Sequence, residues 1–384
     1  MKRNRVKKNI PFNPLFGKRP EVFIGREGLS GEILDSLYEE NGIYRTSLIT
    51  GLRGMGKTAL LTDIESELRE GKDWIVVATS MSRNLLENVI GNLQLEVYHK
   101  QGSLPKLEST NLSVFGIGVK IDAPTEYSPQ NFQTQMKKCL TELAKINVGV
   151  LFTIDEVKST QEMKEFVSTY QVLLRENYDI ALLMAGLPHN VKRLISQDVL
   201  TFMQRATMVH LERINLPTVK TAYQITFDKG GRELAGNSLD LLSATTKGYP
   251  YLFQLLGSEL WRLDKKRITE DDVKMVSVHA RNKLFADVHS LVYRELSDME
   301  QQFLMAMAVD SLETKAIDLR NRLKKSSGVI SKYRERLMDI GIIESEKYGT
   351  LQFVLPYMRE FLLEKQKELY FIKEIAGAYT YEKL

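Results

Sequence analysis

The sequence has a single cysteine, Cys139, among its 384 residues. One cysteine cannot form an intramolecular disulfide, and it cannot supply the several thiolates of a zinc cluster. Chains that use so little cysteine are typical of a reducing compartment, where thiols stay reduced. We therefore predict a cytoplasmic protein that folds without disulfides.

Long apolar runs are also missing. The longest, such as residues 180–187, are far shorter than the ~20 residues that a membrane-spanning helix needs. The first residues are basic but continue as PFNPLFGKRP, without the apolar stretch of a secretory signal. The sequence therefore predicts no membrane contact, and residues 1–20 are expected to be a retained basic arm.

An excess of one charge is lacking as well. The net charge is +4, too small by itself to indicate a nucleic-acid partner, but the arm carries seven Lys or Arg and no acid. The composition, 43% hydrophobic and 27% charged, is that of a globular protein. The length favours two or three domains, at ~150 residues each.

A phosphate-binding motif is present in GLRGMGKTALL, residues 51–61, which fits G-x-x-x-x-G-K-[ST]. TSLIT before it is typical of a buried strand, and ALLTDIESEL after it has helical spacing. The motif predicts that backbone N–H groups and Lys57 hold the phosphates of ATP, and that Thr58 is a ligand of Mg²⁺. The alternative is a glycine-rich turn that merely caps a helix. The predicted ATP-binding residues of this loop are Gly51, Arg53, Gly54, Met55, Gly56, Lys57, Thr58 and Ala59.

A second motif is VGVLFTIDEV, residues 148–157. Its apolar run predicts a strand buried on both faces of a parallel sheet, with two carboxylates at its end. Asp155 is predicted to orient the magnesium through a water, and Glu156 to polarise the attacking water in ATP hydrolysis. The alternative is a pair of acids that only caps the next helix.

Three more apolar runs, residues 75–80, 180–188 and 207–214, alternate with helical stretches. Strands that alternate with helices predict an α/β fold, a doubly wound parallel sheet of five strands with the nucleotide at its carboxyl edge.

With its motifs in this order, the chain resembles an AAA+ P-loop ATPase, from about residue 10 to 365. More specifically, it resembles a group of bacterial and archaeal ATP-binding proteins related to the archaeal-ATPase, STAND and origin-recognition initiator branches, with a winged helix after the lid. The resemblance is carried by FIGREGL at 23–29, the two Walker motifs, KGYPYLFQLLG at 247–257 and KYRERLMDIGII at 332–343.

The resemblance implies roles for residues outside the Walker motifs. Ile24, Gly25 and Arg26 would lie against the adenine and ribose, where the residues alone also allow a solvated helix start. Pro250, at the start of a lid helix, would pack on the base. Arg205 precedes the last strand, where relatives place an arginine finger for a neighbouring chain; the alternative is an arginine that caps a helix end.

The chain departs from the family at two positions. Tyr251 stands where many AAA+ proteins have the lid arginine called sensor 2, and only His189 and Asn190 follow the strand that should carry the polar sensor 1 residue. Hydrolysis is therefore expected to be slow or to depend on a partner.

The predicted domains are the arm (1–20), an α/β nucleotide-binding domain (21–216), a helical lid without strands (217–290) and a winged-helix domain with a C-terminal helix (291–384).

Residues 311–340 hold eight Lys or Arg against four Asp or Glu. A basic third helix predicts contact with double-stranded DNA; the alternatives are a protein-interaction module and a solvated face. The predicted DNA contacts are Lys332, Tyr333, Arg334, Arg336 and Lys347, with Tyr348 beside the last.

Residues 110–124 alternate around two glycines and predict either an edge hairpin or a partner-binding insertion. No H-E-x-x-H or G-x-S-x-G pattern occurs, so magnesium is the one metal implied.

The leading hypothesis is an ATP-dependent molecular switch that binds DNA, in an initiator-like, mobile-element or defence-associated role. The alternative is a STAND-like signalling or scaffold protein that uses the winged helix for protein contacts. A homo-oligomer is compatible with either.

Overall fold

The structure is a computed structural model that describes residues 10–15, 20–101, 129–196, 198–345, 347 and 349–381. The chain divides into two compact units. Leu15–Glu212 form the first, and the described parts of Met1–Pro14 and Arg213–Leu384 form the second. The predicted insertion at 110–124 lies outside the described residues.

Helices and strands alternate in the first unit, as predicted. In chain order they are α1 (Glu27–Tyr38), β1 (Thr46–Thr50), α2 (Lys57–Glu70), β2 (Trp74–Ser80), α3 (Leu85–Gln101), α4 (Pro129–Ala144), β3 (Gly149–Asp155), α5 (Gln161–Arg175), β4 (Ile180–Gly186), α6 (Pro188–Ile195), a 3-10 helix (Asp198–Arg205) and β5 (Thr207–His210). Each predicted strand is present. Two are shorter than predicted: β4 ends before Pro188, whose fixed φ favours the first turn of α6, and β5 ends at His210 instead of residue 214.

The strands form a five-stranded sheet in the order β2-β3-β4-β1-β5. Every pairing in it is parallel, which confirms the predicted α/β class. All residues of β4, and all of β3 up to Ile154, are buried, because helices cover both faces of such a sheet. The carboxyl ends of β1, β3 and β4 therefore lie at one edge, and both Walker motifs follow strands that end there.

The second unit is mainly helical. Its elements are α7 (Leu216–Lys229), β6 (Glu233–Leu234), α8 (Ser238–Thr246), α9 (Pro250–Arg262), β7 (Arg267–Ile268), α10 (Glu270–Leu284), a π-helix (Phe285–His289), α11 (Ser290–Arg294), α12 (Asp298–Met307), β8 (Thr314–Lys315), α13 (Ala316–Leu323), α14 (Ser327–Asp339), β9 (Ile343–Glu344), β10 (Thr350–Phe353) and α15 (Met358–Tyr381). The prediction of a lid without strands was wrong, since β6 and β7 pair in parallel. Two-residue strands are too short to leave an alternating pattern in the sequence.

The C-terminal module, residues 298–381, has the predicted order of three helices followed by a hairpin. Helices α12, α13 and α14 precede the antiparallel pair of β9 and β10, and β8 extends it to a sheet in the order β8-β10-β9. The predicted capping box is present: the N–H of Ser297 donates to Glu300 at 2.7 Å. None of the helices in the described residues combines the length and apolar content that crossing a bilayer requires.

Part of the predicted basic arm packs into the second unit. Phe12 is 2% exposed and lies in a cage of four aromatic rings. The N–H of Asn13 donates to Gln254 at 2.8 Å, and a side chain at Gly257 would meet the Phe12 ring at 2.5 Å. Residues 1–9, which hold most of the basic charge, lie outside the described residues. The rings around Phe12 belong to Tyr223, Phe227, Phe253 and Trp261, with centroids 5.5 to 6.1 Å away.

Candidate functional site

The loop between β1 and α2 has the backbone that a phosphate-binding loop needs. Gly54 and Gly56 have φ angles of 75° and 89°, a left-handed conformation that glycine adopts without strain. Helix α2 begins at Lys57 directly after them. A Cβ placed at Gly56 would meet no atom within 4 Å, so the loop borders open space at the N-terminal end of a helix, where anions bind favourably.

Lys57 is held inside this loop. Its ammonium donates to the carbonyls of Gly51 at 2.8 Å and Leu52 at 3.0 Å. Burial lowers the pKa of Lys57 to about 8, against the opposing charge of Asp155. Arg53 adds to the lowering, and Glu156 opposes it. Because burial disfavours the charged ammonium, a ligand that brings negative charge to Lys57 restores its proton affinity.

The two residues predicted to hold magnesium, Thr58 directly and Asp155 through a water, are hydrogen-bonded to each other. The hydroxyl of Thr58 donates to Oδ2 of Asp155 at 2.5 Å, and Oδ1 of Asp155 accepts the N–H of Glu156 at 2.8 Å. The hydroxyl oxygen keeps lone pairs, and oxygen is the ligand that Mg²⁺ prefers. No group of three or more His, Cys, Asp or Glu is placed to hold a metal in the described part of the chain. These two oxygens, with phosphate and water, fit the way Mg²⁺ is held in nucleotide sites.

Glu156 has a strained backbone. Its φ is 56°, uncommon for a residue with a side chain, and its side chain is exposed. Beyond it the chain pairs with β4 again, since the N–H of Val157 donates to Ala185 at 2.9 Å. Strain of this kind concentrates at functional sites, and here it falls on the residue predicted to polarise water.

The box predicted to contact adenine lies next to the phosphate-loop motif. Arg26 donates to the carbonyl of Glu212, and the next residue back, Leu211, donates its N–H to Thr50 at 2.7 Å. Burial lowers the pKa of Arg26. Residues 211 and 212, which follow β5, therefore contact both Arg26 and Thr50, the last residue before the Walker A motif.

Ile24 and Gly25 complete this box. Ile24 is buried, and Gly25 has a φ of 67°. The helix that follows is fixed to the helix of the phosphate loop, because Ser30 of α1 donates to Asp63 of α2 at 2.6 Å. The structure thus places the box beside the loop, and its contact with adenine stays a prediction.

Arg205 lies at the opposite edge of the sheet from the loop. It ends the 3-10 helix before β5, with its side chain exposed. Because β5 runs parallel to β1, with Thr207 opposite Ser47 and His210 opposite Thr50, Arg205 is roughly 15 Å from the loop along the strands. It is therefore not placed to reach the site of its own chain.

The lid residues belong to the second unit. Pro250 is the first residue of α9, as predicted. Gly248 before it has a φ of 71°, and a side chain there would meet the carbonyl of Ile214 at 2.2 Å. Tyr251, at the position of the lid arginine, donates to Asp287 at 2.7 Å. The predicted contact of Pro250 with the base stays a prediction.

The predicted DNA-binding side chains have different surroundings. Lys332 is exposed, whereas Tyr333 and Arg334 are half-buried. Nε of Arg336 lies 2.5 Å from Oε1 of Glu300. Lys347 is exposed and lies 3.4 Å from Glu313, and Tyr348 lies outside the described residues.

One pair near the site was not predicted from the sequence. Thr153 of β3 donates to Oε1 of Glu65 on α2, the same strand and helix that carry Asp155 and Thr58. The only available signal was a polar residue inside the apolar run VLFTI.

The parallel order β2-β3-β4-β1-β5, with the phosphate loop after β1 and the acid pair after β3, defines an AAA+-like P-loop fold. The chain is similar in structure to the Walker-type ATPase PABY2304 of Pyrococcus abyssi, with a TM-score of 0.63 and 15% identity over 90% of this chain and 97% of that chain. At this identity the likeness establishes the fold.

Two further structures are similar at lower scores. One is the Aeropyrum pernix ORC1 protein in complex with DNA, with a TM-score of 0.47 and 14% identity over 94% of this chain and 97% of that chain. The other is the RuvB Holliday junction branch migration motor of Thermotoga maritima, with a TM-score of 0.42 and 15% identity over 88% of this chain and 96% of that chain. Residues 286–362 match the family described as Domain of unknown function (DUF8462). No curated protein matches the chain.

Proposed function

We propose that this protein is an ATP-dependent molecular switch that binds and hydrolyses ATP with magnesium and binds double-stranded DNA through its C-terminal module. The observation that carries the nucleotide part is the 2.5 Å hydrogen bond between Thr58 and Asp155, close in sequence to the half-buried Lys57. Chemistry on a triphosphate needs this set of groups together: a cation for the phosphates and two oxygens for magnesium.

Each residue of the site has a distinct role in this proposal. The N–H groups of the loop and Lys57 bind the phosphates, with Lys57 exchanging the carbonyls of Gly51 and Leu52 for phosphate oxygens. Thr58 and Asp155 would hold magnesium, which would neutralise charge on the phosphates when bound. Glu156 takes a proton from the attacking water.

Two substitutions test the nucleotide part. Lys57→Ala removes the cation, so the affinity for a fluorescent ATP analogue should fall strongly. Glu156→Gln keeps the size of the side chain and removes the base, so the analogue should bind normally while phosphate release stops. Undiminished affinity in Lys57→Ala would overturn the nucleotide site, and normal turnover in Glu156→Gln would remove Glu156 as the base.

The order of elements supports the DNA part, because three helices and a hairpin are the elements of a winged helix-turn-helix. In such modules the N-terminal residues of the third helix contact the bases. Here that helix is α14, and the exposed residues at its start and just before it are basic or small. They are Lys324, Lys325, Ser327, Gly328 and Lys332. We place the proposed DNA contact at this end of α14, since Arg336 is already paired with Glu300.

Duplex binding at two salt concentrations tests this part. Contacts with phosphate release counterions, so affinity should fall steeply as salt rises. Lys332→Ala should flatten the slope of log affinity against log salt by about 1. Absence of duplex binding even at low salt would remove DNA from the proposal and leave the nucleotide site untouched.

A second candidate is a nucleotide-dependent signalling protein in which the C-terminal module binds another protein. It is favoured by exposed apolar side chains on this module: Val309 is 57%, Leu312 84% and Ile317 53% exposed. The Tyr251–Asp287 contact also favours it, since no arginine stands at that position to speed hydrolysis. Nucleotide binding without duplex binding would support this candidate.

A further inference from the structure

Helix α2 and strand β3 are joined by two hydrogen bonds of opposite direction. Thr58 on the helix donates to Asp155 on the strand, and Thr153 on the strand donates to Glu65 on the helix. Residues 58 and 65 are two helical turns apart and so share a face of α2, and residues 153 and 155 share a face of β3. The two bonds therefore fix the same helix to the same strand.

The second bond is almost completely shielded from water. Thr153 is 1% exposed. The side chain of Glu65 is only 12% exposed, with Arg69 3.8 Å away. A buried hydroxyl and carboxylate are costly unless they are paired, so each holds the other in place.

We infer that Glu65 is a positioning residue: through Thr153 it sets the spacing between the hydroxyl of Thr58 and the carboxylate of Asp155, and so the affinity for magnesium. This rests on the proposed function, in which these two oxygens hold Mg²⁺. The Glu65–Thr153 hydrogen bond involves neither the phosphate loop nor Lys57. We therefore expect it to affect magnesium binding and not phosphate binding.

Burial raises the pKa of Glu65, while the hydroxyl of Thr153 and Arg69 lower it and Asp155 raises it. Asp155 therefore affects Glu65 through its negative charge, and it also lies on the same strand as Thr153, the hydrogen-bond partner of Glu65. A neutral residue with the same acceptor oxygen should keep the position of Thr153, which makes Glu65→Gln the conservative variant.

The test measures binding, not turnover. Binding of a fluorescent ATP analogue is titrated with magnesium, and also measured in EDTA, for wild type, Glu65→Ala, Glu65→Gln and Thr153→Val. Partners behind metal ligands typically change metal affinity 10- to 100-fold, so we expect Glu65→Ala and Thr153→Val to raise the half-saturating magnesium concentration about tenfold or more. Glu65→Gln should stay near wild type, and affinity in EDTA should be unchanged in all.

Glu67→Ala is the matched control, because Glu67 lies on the same helix with its side chain exposed. It should leave the magnesium titration unchanged. Thr153→Val keeps the shape of the side chain, so it gives a reading if Glu65→Ala does not fold.

Two results would overturn the inference while the nucleotide site stands: a normal magnesium titration in both Glu65→Ala and Thr153→Val, or an equal loss of affinity with magnesium and in EDTA. A wild-type protein whose analogue binding ignores magnesium would remove the metal site of the proposed function, and this inference with it.

Discussion

Arg336 on α14 lies 2.5 Å from Glu300 on α12, whose carboxylate is 1% exposed. The same carboxylate accepts the N–H and the hydroxyl of Ser297 at 2.7 and 2.6 Å. A residue expected to face DNA is therefore part of the structure of its own module. Its removal should affect folding more than recognition.

Arg336→Ala should lower the free energy of unfolding of the C-terminal module by about 1–3 kcal/mol, the cost of leaving a buried polar atom unpaired, because it removes the ion-pair partner of the buried Glu300 carboxylate. The side chain of Arg336 is 60% exposed, so water replaces part of the lost contact and the larger cost of a fully buried pair does not apply. Denaturant unfolding measures the change.

Lys332→Ala is the control for Arg336, because Lys332 is exposed on the same helix. It should change stability by less than about 0.5 kcal/mol and reduce duplex binding. The opposite pattern, in which Arg336→Ala loses duplex affinity at normal stability, would contradict the structural role of Arg336.

Phe12→Ala should destabilise the second unit. Replacing a fully buried phenylalanine with alanine typically costs about 3–5 kcal/mol, and Phe12 is enclosed by aromatic rings of α7 and α9. Trp261 lies 6.1 Å from Phe12, so tryptophan emission during denaturant unfolding reports the change.

Ile225→Ala serves as the comparison for Phe12→Ala, since Ile225 lies on α7 in the same unit, is 48% exposed and should change stability by less than about 0.5 kcal/mol. Equal unfolding of Phe12→Ala and wild type would show that the N-terminal segment is not anchored in this cage.

The central site could be predicted from the sequence because its chemistry needs fixed residue types at fixed spacing. Lys57 and Thr58 follow the glycines of the loop directly, and Asp155 ends an apolar run long enough to be a buried strand. The strands could be predicted because helices bury both of their faces, which leaves continuous apolar runs.

Other contacts could not be predicted, because nothing local marks them. Thr153 and Glu65 are 88 residues apart, and a glutamate on a helix is usually solvated. Phe12 and the rings around it are separated in the sequence by all the residues of the first unit. Nothing in the sequence around Arg336 indicates that it forms an ion pair with Glu300. Pairs that form only in the folded chain leave no pattern of spacing along the sequence.

Arg205→Ala should reduce hydrolysis on the order of 10³-fold if Arg205 supplies charge to the γ-phosphate of a neighbouring chain. Its distance from the loop of its own chain requires that the neighbour be a second copy. Glu156→Gln removes the base and leaves Arg205 intact. A mixture of Arg205→Ala and Glu156→Gln should therefore recover activity that neither variant has alone.

Phosphate release from the two variants, separately and mixed, measures this effect. Arg205→Lys keeps the charge but loses the planar guanidinium, and should restore only part of the rate. Normal turnover in Arg205→Ala, or a mixture no more active than its components, would contradict a finger in trans.

Nucleotide affinity should depend on pH through Lys57. Burial lowers the pKa of this lysine to about 8, and phosphate binds its protonated form, so bound nucleotide must raise that pKa. Below about pH 8 the ammonium is already charged and affinity should be flat. As pH rises above this value the free protein loses the proton while the complex keeps it, and affinity should fall by up to about tenfold per pH unit.

Titration of a fluorescent ATP analogue from about pH 7 to about pH 9.5 measures this slope around the lowered pKa. Lys57→Arg is the matched control, because a guanidinium stays protonated throughout this range. Its affinity should be independent of pH even if it is weaker overall. A flat profile for wild type, or an equal slope in Lys57→Arg, would show that the proton of Lys57 does not control phosphate binding.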